Sequence, residues 1–165
     1  FLAGPPLSLE LDGELEATIA ADAQTQLFHL TIDDVYDDVT VTLTPAEGTE
    51  IEPSLTVVDR YEGGTFYIWG ETQDDGSLVA STGALLPGDY YVNVTRYEAE
   101  DVAYTLSATG TPGAPMIAQA PDEVVEGTLE EGGVQYFRVE EVDAGTFVRI
   151  TLASEAEDVD FDLHV

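Results

Sequence analysis

The chain has 165 residues, enough for one ordinary domain and part of a second. It carries 34 Asp and Glu residues against four Lys and Arg, a formal net charge of −30, yet 44% of its residues are hydrophobic, more than a disordered acidic tail contains. The chain is therefore expected to fold, and its charge excludes polyanionic partners such as nucleic acids, whose phosphates require clustered Lys and Arg.

Most of the chain shows apolar residues at every second position, which is the pattern of half-buried β-strands. Leu7, Leu9 and Leu11 predict a strand or an extension within residues 1–12. Further strands are predicted around residues 27–32, 39–43, 54–58, 65–69, 77–80, 90–95 and 103–108. Turn signals rich in Gly, Pro and Asp separate them, so the predicted fold class is all-β, with antiparallel β-sandwich or jelly-roll modules.

One pattern occurs twice in the chain. Residues 26–30 align with 135–139, and residues 39–43 align with 148–152, both at an offset of about 109 residues. We interpret this as a tandem repeat. A first module spans residues 13–109, a Pro- and Gly-rich linker spans 110–121, and the first half of a second module spans 122–165.

Half a sandwich leaves an apolar face and its strand edges uncovered. Phe137, Val148, Ile150, Phe161, Leu163 and Val165 are predicted on that inward face. Two alternatives stay open: the chain continues beyond residue 165, or a neighbouring subunit donates strands. The segment from Leu7 to Leu11 is the candidate donor, and donation of this kind would build filaments.

The order of the motifs resembles the pre-peptidase C-terminal domain family of bacteria and archaea, a small secreted β-sandwich. The motifs are Gln-x-Phe, Pro-Gly-x-Tyr-Tyr-Val-x-Val, Tyr-x-Leu and an acidic Asp-x-Asp-x-Asp-Leu-x-Val strand, at residues 26–28 and 135–137, 87–94, 104–106, and 158–165. The resemblance covers about residues 13–108 and 122–165. It implies a non-catalytic appendage of a secreted protein, often a peptidase, and some relatives bind calcium.

Two acidic segments are candidate calcium sites. On the acidic strand, Asp158, Asp160 and Asp162 project from one face at about 6.7 Å between successive members. The other segment is a predicted loop with four carboxylates, Asp33, Asp34, Asp37 and Asp38. Calcium takes six to eight oxygen ligands, and carboxylates that repel one another are relieved by a cation or by salt. A solvated polar face is the alternative for the strand.

No catalytic residue is predicted. The two histidines, His29 and His164, fall on outward strand faces, no Ser lies in a Gly-x-Ser-x-Gly elbow, and the absence of Cys excludes thiolate chemistry. Asn93 begins an Asn-Val-Thr sequon and is a candidate glycosylation site. Among the aromatic residues of the first module, one of Tyr90 and Tyr91 should face outward, as should one of Phe66 and Tyr67.

The resulting hypothesis is a non-catalytic structural module of a secreted or cell-surface protein, self-associating as part of a fibre, layer or adhesin, with calcium as a candidate cofactor. The charge favours a salty setting, because salt screens the repulsion between carboxylates. The alternative is an accessory domain of a secreted hydrolase whose catalytic domain lies outside this chain. A carbohydrate-binding module, a third possibility, requires an exposed row of aromatic side chains.

Overall fold

The computed structural model describes residues 2, 4–46, 54–61, 64–97, 100–130, 133–140, 142–143 and 145–153. Every regular element in these residues is a β-strand, which confirms the predicted all-β class. In chain order the strands are β1 (Leu7–Leu9), β2 (Gly13–Ile19), β3 (Thr25–Ile32), β4 (Tyr36–Pro45), β5 (Ser54–Tyr61), β6 (Gly64–Trp69), β7 (Glu71–Thr72), β8 (Leu78–Ser81), β9 (Gly88–Thr95), β10 (Val102–Pro112), β11 (Ile117–Gln119) and β12 (Phe137–Val139).

The strands before residue 113 form two five-stranded sheets. Sheet A has the strand order β1-β3-β9-β5-β6, and sheet B has the order β2-β10-β4-β8-β7. Neighbouring strands run antiparallel in both sheets, apart from β1, which pairs parallel with β3. The two sheets enclose one apolar core, so the predicted antiparallel β-sandwich is confirmed.

The core forms because alternate side chains of each strand point inward. In β3 the side chains at positions 26, 28, 30 and 32 are buried, and those between them are more exposed, as the alternation predicted. Phe28 from sheet A meets Tyr104 from sheet B edge to face, with ring centroids 6.3 Å apart and an angle of 80° between the rings. These contacts between the sheets hold the sandwich together.

The N-terminal leucines belong to the sandwich of their own chain. Leu7 pairs with Phe28 and Leu9 pairs with Leu30, so β1 completes one edge of sheet A. Leu9 is buried and Leu11 packs against the core. The hypothesis that this segment is donated to a neighbouring subunit is therefore wrong, because β1 pairs with β3 of its own chain and Leu9 is buried in the same core, although Leu7 is 42% exposed.

The last long strand, β10, runs past the predicted start of the linker at residue 110. It pairs with β4 as far as Pro112, with a bulge between Thr111 and Pro112, whereas its pairing with β2 ends at Ala108. Pro112, which lacks an N–H, is tolerated because β10 has one neighbour at this point. Gly110 is also required here, since a Cβ atom would lie 2.5 Å from Cδ1 of Tyr36.

Beyond Pro112 the described residues form a small two-stranded sheet in which β11 and β12 pair parallel. Phe137, Val148 and Ile150, predicted to face inward, are 45%, 51% and 42% exposed, because no second sheet of the described residues covers them. The predicted core positions Phe161, Leu163 and Val165 lie outside the described residues. In the described part, no helix has the length and apolar character needed to cross a membrane.

Candidate functional site

The acidic segment that was predicted as a loop is a loop only in part, because Asp33 and Asp34 lie between β3 and β4 whereas Asp37 and Asp38 belong to β4. Part of its charge is used for internal hydrogen bonds. Asp34 Oδ1 accepts a hydrogen bond of 2.8 Å from the backbone N–H of Val35. Asp38 accepts hydrogen bonds from the Ser81 hydroxyl, from the Thr40 hydroxyl at 2.8 Å and from the Gly83 N–H at 3.1 Å. Two of the four predicted calcium ligands in this segment, Asp34 and Asp38, therefore form hydrogen bonds within the fold.

The electrostatics of Asp38 agree with this structural role. Partial burial raises the pKa of Asp38, but the hydrogen bonds from Ser81, Thr40 and Gly83 outweigh burial and hold its pKa below the ordinary value. The carboxylate thereby joins the start of β4 to the segment that follows β8. Bonds of this kind stabilise the ionised form, so Asp38 stays charged over the normal pH range.

The carboxylates of Asp33, Asp12 and Asp34 lie near Tyr36. Burial raises the pKa of the Tyr36 hydroxyl, and the negative charges of Asp33, Asp12 and Asp34 raise it further. An open cleft of about 370 Å³ adjoins them and includes Glu10 in its lining. Within the described ranges, no group of three His, Asp or Glu side chains is arranged to hold a metal ion.

The remaining calcium candidates divide between described and undescribed residues. Asp37 is exposed, and its Oδ1 atom would lie 2.7 Å from a Cβ atom at position 113. Asp158, Asp160 and Asp162 lie outside the described residues. Calcium binding by either acidic segment therefore stays a prediction.

His29 is hydrogen-bonded to a carboxylate on the outward face of sheet A. His29 Nε2 lies 2.7 Å from Asp89 Oδ1, and the imidazole ring lies 5.3 Å from the Tyr91 ring, with 33° between the two planes. The Thr31 hydroxyl donates to the same Asp89 oxygen at 3.4 Å. A nucleophilic triad places histidine between the hydroxyl and the carboxylate, whereas here the carboxylate lies between the other two groups.

The candidate glycosylation residue Asn93 lies on the same face of β9 as Tyr91. Asn93 is half-buried, and its Oδ1 atom accepts a 3.5 Å hydrogen bond from the Thr95 hydroxyl. Because β9 has β3 on one side and β5 on the other, Asn93 lies in the middle of the sheet. Modification of Asn93 stays a prediction.

Exposed aromatic side chains are a feature that the sequence indicated only in part. Tyr90 is buried and Tyr91 is half-buried on the opposite face, so one of this pair faces outward, as predicted. Tyr67 and Trp69 of β6 are 59% and 65% exposed. Nearly every residue of β6 is apolar or aromatic, so the sequence lacks the alternation that would separate its inward from its outward face.

A buried arginine was missed by the sequence analysis. Arg96 is 4% exposed and is the one buried charged side chain in the described part of the chain. Its guanidinium donates to the backbone carbonyl of Ala23 at 2.6 Å, to that of Glu100 at 3.1 Å and to that of Ala21. These bonds join the loop before β3 to the loop after β9, which gives Arg96 a structural role.

The comparisons with known proteins identify the fold. No protein-family model and no curated protein matches the chain. Among solved structures, the chain is similar to the pre-peptidase C-terminal domain of collagenase from Bacillus anthracis, with a TM-score of 0.52 and 17% sequence identity. The match covers 63% of this chain and 94% of that domain, so the predicted resemblance to this type of domain is confirmed for the fold.

Proposed function

We propose that this chain is a non-catalytic accessory module that holds a secreted protein at the place where it acts. The observation that carries the proposal is the match to 94% of a pre-peptidase C-terminal domain that belongs to a collagenase. A sandwich of this type presents broad sheet faces, which suit binding to a surface. The proposal places the chain outside the cell or on its surface.

The geometry around the described histidine supports a module without catalysis. A general base must be within hydrogen-bonding reach of the group it activates. His29 instead directs Nε2 to Asp89, and Thr31 donates to that same carboxylate, so the carboxylate lies between the imidazole and the hydroxyl. This arrangement supports a structural hydrogen bond on the sheet surface.

Two assays test the proposed function. First, the purified chain should not hydrolyse casein, gelatin or polysaccharides faster than they are hydrolysed in buffer alone. Second, when it is fused to an unrelated hydrolase, it should leave turnover of soluble substrate unchanged and raise turnover of insoluble substrate. Hydrolysis by the chain itself that is abolished in His29→Ala or Asp89→Ala would contradict the proposal.

A second candidate function, a segment of a self-associating fibre or layer, is favoured by one specific observation. In residues 124–152 several large apolar side chains are exposed, including Val124 at 83%, Val134 at 63% and Phe147 at 101%. Exposed apolar surface of this kind is normally covered by a partner. Sedimentation velocity should show concentration-dependent assembly, and a Phe147→Ser variant should assemble less; a monomer at all concentrations would exclude this candidate.

A further inference from the structure

The outward face of sheet A carries aromatic side chains on separate strands. Ile68 packs against the core, so its neighbours Tyr67 and Trp69 point to the opposite side and are 59% and 65% exposed. Tyr91 shares that outward face, because both of its neighbours along β9 are buried in the core. These rings stand on the broad outward face of the sheet, with Trp69 at the end of β6.

The strand register arranges the rings in a row. Tyr67 and Tyr91 both pair with Val58, so they lie two strands apart in the same row across the sheet, about 9.6 Å between Cα atoms. His29 is opposite Tyr91 on the next strand and continues the row, with its ring centroid 5.3 Å from that of Tyr91. The row therefore spans four strands.

Polar groups accompany the rings, and few of the described side chains beside them are charged. Trp69 and Asn93 both pair with Thr56, which is 4% exposed, so the indole of Trp69 and the amide of Asn93 lie in a second row beside the first. Asp89 is the one acid among the described side chains of the sheet A strands, and it is paired with His29 at 2.7 Å. In a chain with a formal net charge of −30, the described side chains of this face carry little charge.

We propose that this face binds an extended, uncharged polysaccharide. The inference rests on the proposed accessory function and names the target to which the module would bind. The C–H faces of sugar rings stack on Tyr and Trp, and sugar hydroxyls at the ring edges bond to neighbouring amide and imidazole groups. Acidic polysaccharides are repelled by the charge of the chain. A cationic one would need free carboxylates, whereas Asp89, the acid among the described side chains of these strands, already bonds to His29, so an uncharged polysaccharide matches this face best.

The distribution of the side chains favours a polysaccharide over a protein partner. Protein interfaces concentrate their binding energy in a desolvated apolar centre with aromatic anchors in pockets. Here the exposed rings Tyr67 and Trp69 stand on an open sheet, next to the half-buried polar side chains of Asn93 and His29. Separate rings with polar groups between them suit a repeating chain of sugar rings.

The test uses the fluorescence of Trp69, the single tryptophan of the protein. The full chain is titrated in 1 M NaCl with hexasaccharides of β-1,4-glucose, β-1,3-glucose and β-1,4-N-acetylglucosamine. At least one should shift the emission of Trp69 to shorter wavelength with saturation, because a stacked sugar removes water from the indole. Pull-down on the matching insoluble polymer should retain the protein.

Variants then assign the binding to this face. Tyr91→Ala and, on the edge strand, Tyr67→Ala should each weaken binding about tenfold or more, as loss of a central aromatic contact does. Tyr97→Ala is the matched control, since Tyr97 is 69% exposed but lies in the loop after β9. Thermal melts of each variant establish that it is folded.

Several results would overturn the inference. One is the absence of any saturable change in Trp69 fluorescence with the uncharged sugars, and another is an equal loss of affinity in Tyr97→Ala. Binding to alginate or chitosan alone, or a glycan attached to Asn93 that already covers the face, would also overturn it. If the fused hydrolase is still retained on a protein matrix, the glycan inference fails while the accessory function stands. Hydrolysis by the chain itself would overturn the accessory function, whatever the sugar titration shows.

Discussion

At the scale of single residues, the buried hydroxyl of Tyr104 is an unsatisfied group in the core. Tyr104 is 2% exposed, and its hydroxyl has no hydrogen-bond partner among the described residues. Tyr104→Phe removes this group while keeping the ring contact with Phe28, so we expect urea unfolding to show equal stability or a gain of about 1 kcal/mol. Tyr90→Phe is the control: it loses a 2.8 Å bond to the Leu86 carbonyl and should cost about 1 kcal/mol.

The same hydroxyl predicts how stability depends on pH. Burial raises the pKa of Tyr104 above its ordinary value of 10.0. The unfolded chain therefore releases this proton at lower pH than the folded chain, and the contribution to stability is lost as pH rises above about 10. Unfolding free energies between pH 8 and 11 should fall less steeply in Tyr104→Phe than in the parent; equal slopes would contradict the prediction.

Asp38 predicts the opposite dependence at acid pH. Its pKa is held below the ordinary value, so its contribution is present above about pH 4 and is lost as pH falls through the lowered pKa. Asp38→Ala should cost about 1–2 kcal/mol at pH 7, because it leaves three hydrogen bonds unmade, and should lessen the loss of stability on acidification. Asp37→Ala, at an exposed neighbour, should change stability by less than about 0.5 kcal/mol. Equal costs would rule out the assigned role.

At the scale of elements, Arg96 joins two loops at one end of the sandwich. Arg96→Lys keeps the charge but cannot reproduce the directed bonds to the carbonyls of Ala21, Ala23 and Glu100. We expect a loss of about 2–4 kcal/mol in urea unfolding, since a buried charge is left with poor partners. Arg138→Lys is the control, because its 2.6 Å pair with Glu140 is exposed and should be almost neutral. A similar loss in both variants would contradict this assignment.

The strands were predictable wherever the sequence alternates, as in β3, because one buried face imposes a period of two. The pairing of β1 with β3 was not predictable, since the residue pattern of a strand does not specify which strand it pairs with. The hydrogen bonds from Ser81 to Asp38 and from Arg96 to Ala23 could not be predicted for a related reason. Each of them joins residues that are more than 40 positions apart in the sequence. For the candidate site, the sequence predicted that one of Tyr90 and Tyr91 faces outward. It did not predict the row of aromatic side chains, because that row depends on the register between strands.

At the scale of the whole molecule, the net charge of −30 predicts stabilisation by salt. Screening shortens from about 10 Å at 0.1 M salt to about 3 Å at 1 M, so the melting temperature should rise as NaCl is added. Calcium at a few millimolar should raise it further if the acidic segments bind the ion. Magnesium at the same ionic strength is the control, and an identical melting temperature with calcium, magnesium or EGTA would exclude specific calcium binding.

The parallel pairing of β1 with β3 also has a mechanical consequence. The chain enters sheet A at the start of β3, where Leu2 forms a parallel bridge with Thr25, whereas Pro112 pairs with Tyr36, just after β3 has ended. The chain thus enters and leaves the sandwich at opposite ends. Tension applied through these two points pulls β1 along its own axis and strains the hydrogen bonds to β3 together, as in shear. A module loaded in this way resists extension far better than one whose edge strand peels away one bond at a time.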